Sequence, residues 1–159
     1  MIGELEQNHG VLLARLVRGA EAPVEIATHS RSAYVVGGRC GLYVKYSTSR
    51  LSPWSFSFSA VHQREIQNLS DEFQFAFVAL VCGKDGIACL NARELNRVLD
   101  DDHRETEWVK ASRRPREKYL ITGTDDRRGF KVADSEFPAK LITALATDSY
   151  IASDPELIS

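Results

Sequence analysis

Apolar residues recur every three or four positions at the start of the chain, at Ile2, Leu5, Leu12, Leu13, Leu16 and Val17. His9 shares their stripe, and Glu4, Gln7, Arg15 and Arg18 fall mostly off it. That spacing predicts an amphipathic opening helix, which Gly19 stops. After Pro23 the period shortens. "VEIAT" (24–28), "SAYVVG" (32–37) and "GLYVKYS" (41–47) are β-branched and aromatic, are separated by polar or glycine-containing turns, and read as a three-stranded meander. Ser59 stands as the N-cap of a second helix, "AVHQREIQNL", with Val61, Ile66 and Leu69 as its apolar stripe. "FQFAFVALVC" (73–82) is almost continuously apolar, the pattern of a strand covered on both faces. "GKDG" turns it into a hairpin partner, "IACL" (87–90), after which Asn91 caps "ARELNRVL" with Glu94 three residues on.

The acidic run at 100–102 ends that third helix and opens a surface loop. Beyond it, "WVKAS" (108–112) and "KYLITG" (118–123) flank "RRPRE" and read as a strand pair. "FKVAD" (130–134) forms a short third strand, and "EFPAKLITAL" a terminal helix. The stretch between the third strand of the meander and Ser59, "STSRLSPWSFSF", reads as an aromatic, hydroxyl-rich connection. The expectation is one domain over 1–159, with a core at 1–100, a basic hairpin extension at 101–150 and a loosely attached, flexible tail at 151–159.

Composition narrows the classes. The 159 residues are 43% hydrophobic with a net charge of −2, enough apolar material for a core and no global charge that advertises a polyanion or a membrane. No long apolar run supports a signal peptide or a membrane span, so no membrane partner is expected. Cys40, Cys82 and Cys89 are odd in number and lack CxxC spacing, which points to reduced, buried thiols and a cytoplasmic location. A nucleophilic role for Cys82 or Cys89 lacks a nearby base in the sequence.

Charge is uneven. Lys110, Arg113, Arg114, Arg116 and Lys118 against Glu117 give the 110–118 stretch a local +4, leaving −6 for the rest of the chain. A basic hairpin tip on an acidic body is what a phosphate-contacting face requires, and it is equally what a solvated surface paired with the acids at 100–107 would show. In "STSRLSPWSFSF", Arg50 with Ser47, Thr48, Ser49 and Ser52 offers phosphate donors, and Trp54 offers a stacking face. The alternate spacing of Trp54, Phe56 and Phe58 equally fits insertion into the core. His62 and Glu65 stand one helical turn apart, two metal ligands without a third.

The order helix, meander, helix, buried strand, strand resembles the αβββαβ core of the restriction-endonuclease-like, or PD-(D/E)XK, superfamily. The stretch from about 24 to 90 is similar to a Holliday junction resolvase core. The resemblance implies an α/β fold, a mixed sheet flanked by helices, here with a C-terminal β-rich extension. In that superfamily the third strand carries an acid, any residue and a lysine, so that two carboxylates hold a divalent ion and the lysine supplies a donor near the attacking oxygen. "GLYVKYS" falls at the matching place with Lys45, but Tyr43 stands where the acid belongs and "RSAY" (31–34) lacks the second one. The motif is therefore degenerate. A hydrolytic version would use Lys45 to polarise the scissile phosphate and Glu25 as a relocated carboxylate helping to hold Mg²⁺, with Glu4 and Glu6 of the first helix as further ligands. Two readings of Lys45 stand side by side, a lysine snorkelling from an outer strand face and a retained phosphate-facing cation. The functional expectation is a DNA- or RNA-binding protein that uses Lys45, Arg50, Trp54 and the 110–118 hairpin. The alternative is a non-enzymatic protein that contacts a partner protein or a second copy of itself.

Overall fold

The computed structural model describes residues 1–100, 102 and 105–147. The expected tail at 151–159 and part of the acidic loop lie outside those residues. Among the described residues, four helices and nine strands follow one another as α1 (Glu4–Gly19), β1 (Ile26–Ser30), β2 (Ala33–Val36), β3 (Cys40–Ser47), β4 (Trp54–Phe58), α2 (Ala60–Glu72), β5 (Phe75–Cys82), β6 (Gly86–Asn91), α3 (Ala92–Val98), β7 (Glu107–Ser112), β8 (Tyr119–Gly123), β9 (Phe130–Val132) and α4 (Glu136–Ala146).

The expected helix starts have local causes. Ser59 Oγ accepts from the His62 amide while the His62 ring accepts from the Ser59 amide, and Asn91 and Glu94 do the same reciprocally at α3. Along α1 the interior receives His9, Leu12 and Leu16, whereas Val17, and Ile2 ahead of the helix, both placed on the stripe by spacing alone, are exposed.

Five strands form a mixed sheet in the order β1-β2-β3-β5-β6. Only β3 and β5 are parallel, paired from Cys40 and Phe75 through to Ser47 and Cys82, and α2 is in the crossover between them. One face carries Leu42, Val44, Ala79 and Val81 against Leu12 and Leu16 of α1 and Phe137 and Leu141 of α4. The other carries Tyr43, Val78, Leu80 and Leu90 against Ile66 and Leu69 of α2, Leu95 of α3 and a second sheet. β5 is thus covered on both faces, as its unbroken apolar run requires.

The second sheet, β4-β7-β8-β9, is antiparallel throughout. It corrects the expectation of an irregular connection at 47–58. "WSFSF" is a strand whose Trp54, Phe56 and Phe58 are buried while Ser55 and Ser57 face water. Strict alternation gave one wholly apolar face, which closes over the first sheet. β4 pairs with β7 from Trp54–Ala111 to Phe58–Glu107, so the second sheet unites a strand from the first half of the chain with the basic hairpin. The architecture is α/β, a mixed sheet with helices on one face and helices plus an antiparallel sheet on the other.

Candidate nucleic-acid interface

Three segments meet beyond the carboxyl ends of the parallel strands: the loop after β3, the β5–β6 turn and the β7–β8 tip. Each is fixed by named bonds. Gly83 N–H donates to Ser47 O at 2.9 Å, continuing the β3–β5 ladder past its last pair. Gly83 also has φ +57, and a Cβ there would strike Ser49 O, so only glycine lets the turn pass so close to the loop. The Trp54 indole N–H holds the same Ser49 carbonyl at 2.9 Å. Across the junction, Arg113 N–H donates to Ser52 Oγ at 3.1 Å.

The tip is anchored by Arg113. Its Nε donates to Asp85 Oδ2 at 2.7 Å, and its two terminal nitrogens donate to Asp85 O and Glu117 O. The guanidinium lies 4.1 Å from the centre of the Tyr119 ring, whose hydroxyl also donates to Asp85 Oδ2. With 12% of its side chain exposed, Arg113 holds the three segments together.

Most of the charge left in water at this end is positive, Glu117 at the tip and Glu4 on α1 being exposed acids beside it. Arg50, Lys84, Arg114, Arg116 and Lys118 are all exposed, and none forms an ion pair among the described residues. Arg50 and Lys84 also border a cleft of about 440 Å³ closed by Glu4, Gln7 and Asn8 of α1. Lys84 escaped the sequence reading. Its signal was the "GKDG" turn, which directly follows the strand paired in parallel with β3. Lys110 lies on the outer face of β7, 5.1 Å from the Trp108 ring centre.

Several expected site residues are placed otherwise. Trp54 is 3% exposed and presents no stacking face; the half-buried Trp108 is the tryptophan that reaches the surface. Glu25 is exposed ahead of β1, and the register Ile26–Val36–Cys40 sets it beside the start of β3. Lys45 lies five residues further along β3, roughly 17 Å away at strand rise, so the two cannot share one ion. Lys45 points toward α2, with Nζ 3.2 Å from His62 Nδ1 and 5.2 Å from the Phe58 ring centre. That face is opposite the one α1 covers, which separates Lys45 from Glu4 and Glu6 as well.

Burial lowers the Lys45 pKa against the pull of Glu65. Burial and the Lys45 charge lower that of His62, whose Nδ1 accepts from both Lys45 and the Ser59 amide. His62 and Glu65 gain no third ligand among the described residues. Burial likewise pushes the Cys82 and Cys89 thiols up to about 12, which keeps them protonated and unreactive. Among the described residues, the three acidic side chains close enough to share a cation stand elsewhere, at Asp100, Glu107 and Asp125. No helix among the described residues is long and apolar enough to cross a membrane. In comparisons with known proteins, the chain matches no family model, no curated protein and no solved structure.

Proposed function

We propose that the chain binds nucleic acid through the strand-end surface of Arg50, Lys84, Arg114, Arg116 and Lys118, on a restriction-endonuclease-like scaffold whose metal site is degenerate. The observation that carries this reading is the convergence of three segments, distant in sequence, whose exposed cations form no ion pair among the described residues while the one anchoring arginine does. Phosphate contacts need just such exposed, unpaired cations. The element order and the β3–β5 parallel crossover support the scaffold assignment. Glu65 is the acid whose charge acts on Lys45, and the distance of Glu25 from Lys45 leaves the pair unable to share a metal, which supports a binding role over Mg²⁺-dependent cleavage by Lys45 and Glu25.

Fluorescence anisotropy of labelled single-stranded, duplex and branched DNA, and of single-stranded RNA, tests it across a salt series. Wild-type protein should bind with a steep negative dependence on salt. For duplex DNA the triple variant Arg114→Ser, Arg116→Ser, Lys118→Ser should flatten the log–log slope by roughly 3, near one unit per lost phosphate contact. Arg113 is kept because it anchors the fold. Absence of binding at low salt to all four probes, or a variant that binds as wild type does, overturns the proposal.

One observation favours a second reading, a homodimer. β1 is a sheet edge with four of its five residues exposed, a strand free to pair with its copy. A concentration-dependent sedimentation coefficient that ignores salt would favour it.

A further inference from the structure

The end of β7 away from the tip carries the opposite charge. Glu107, its first residue, points inward with Val109 and Ala111 and is 4% exposed. Its Oε1 accepts from Asp100 N–H at 3.2 Å, but its Oε2 is buried with no hydrogen-bond partner. Asp100 follows the C-terminus of α3, and Asp125 sits in the β8–β9 turn. One carboxylate oxygen from each of the three residues lies within 4.8 Å of the other two. The backbone holds them there, since Asp125 N–H donates to Val98 O at 3.2 Å and Thr124 N–H to Trp108 O at 3.1 Å.

Such an arrangement is incomplete as it stands. Three carboxylates at this spacing repel one another, and a buried carboxylate oxygen without a donor carries a large desolvation cost. The C-terminal end of α3 adds further negative potential. Arg97, in its last turn, is engaged with Asp126 and with the Phe130 ring. The missing component has to be positive, small and able to accept oxygen donors from three directions. An all-oxygen donor set selects a hard cation. Three carboxylates brought together from separate elements suit Ca²⁺, which takes about six to eight oxygens in flexible geometry, better than Mg²⁺, which demands a near-ideal octahedron and keeps several of its waters.

We propose that Asp100, Glu107 and Asp125 form a calcium-binding site in which Glu107 Oε2 is the buried ligand and water completes the shell. The ion would join the end of α3, the start of β7 and the β8–β9 turn, and so brace the second sheet against the helix beside it. The site is independent of the nucleic-acid reading, being at the other end of β7.

Chelator-treated protein titrated with CaCl₂, followed by isothermal calorimetry and thermal unfolding, tests the proposal. Wild type should show one binding site and a Tm raised by several degrees at about 10 mM Ca²⁺, with a smaller rise for Mg²⁺. Asp125→Asn and Glu107→Gln should each weaken binding by about tenfold or more. No heat and no Tm rise in wild type overturns the site. An undiminished response in both variants overturns it too, since that marks diffuse attraction to surface acids. Asp125 is exposed, so Asp125→Asn decides the matter even if Glu107→Gln does not fold.

Discussion

At one end of β7, Arg113 has a side chain 12% exposed and every guanidinium nitrogen donating to an acceptor. At the other end, Glu107 is 4% exposed and keeps one oxygen with no donor at all. The two charges are buried by the same strand, less than one hairpin apart, yet only the first has its counter-charge built into the fold. A buried charge with a hydrogen-bonded partner acts as a fixed joint, whereas one without a partner takes up a proton or an ion. The difference also explains how a net charge of −2 hides a molecule with a positive end and a negative one.

The largest effect should come from Trp54, at the positive end. Trp54→Ala empties a core position and should cost about 3–5 kcal/mol in urea unfolding; lost nucleic-acid binding at unchanged stability would restore it to the surface. Asp85→Ala strands both Arg113 and the Tyr119 hydroxyl, with an expected cost of about 2–3 kcal/mol. An unmoved unfolding midpoint would show that the positive end needs no built-in partner, and the contrast with Glu107 would collapse.

At the negative end the sign reverses. Burial raises the Glu107 carboxyl from 4.5 to about 7, so between those values the folded chain holds a proton that the unfolded chain releases. Stability contributed by that proton is present below about 4.5 and is lost as pH rises through 7. In chelator, Glu107→Gln should therefore gain about 2 kcal/mol near pH 8 and nothing near pH 4. Parallel pH profiles for the two proteins would refute this. The smallest effect belongs to the exposed cations. Replacing Arg114, Arg116 and Lys118 by serine should move stability by no more than about 0.5 kcal/mol, separating binding residues from the Arg113 joint.

Local chemistry was legible and long-range placement was not. Asn91 and Glu94 announce α3 because a capping box is complete within four residues. The alternation of Tyr43 and Lys45 correctly put them on one strand face, but which helix covers that face depends on the sheet's handedness and on α2. Trp54, Phe56 and Phe58 carried a strand's period, yet their partner strand begins at Glu107, so nothing nearby distinguished strand from pinned loop. Glu25 looked adjacent to the lysine strand until the register of two antiparallel pairings placed it at the far end. The cluster of Asp100, Glu107 and Asp125 comes from three elements and has no spacing to read. Lys84 differs, because a lysine in the turn that follows a buried strand could have been noticed.

The insertion of β4 ahead of α2 sets a schedule for synthesis. When the ribosome has made Phe58, the apolar row of Trp54, Phe56 and Phe58 has no neighbour to pair with until Glu107–Ser112 emerges, roughly 50 residues and several seconds later at about 5–20 residues per second. During that interval the nascent chain carries an open, aromatic strand edge. The first sheet can assemble around β3 and β5 while it waits, but the face that α2 and α3 cover in part is not closed until the last third of the protein has been translated.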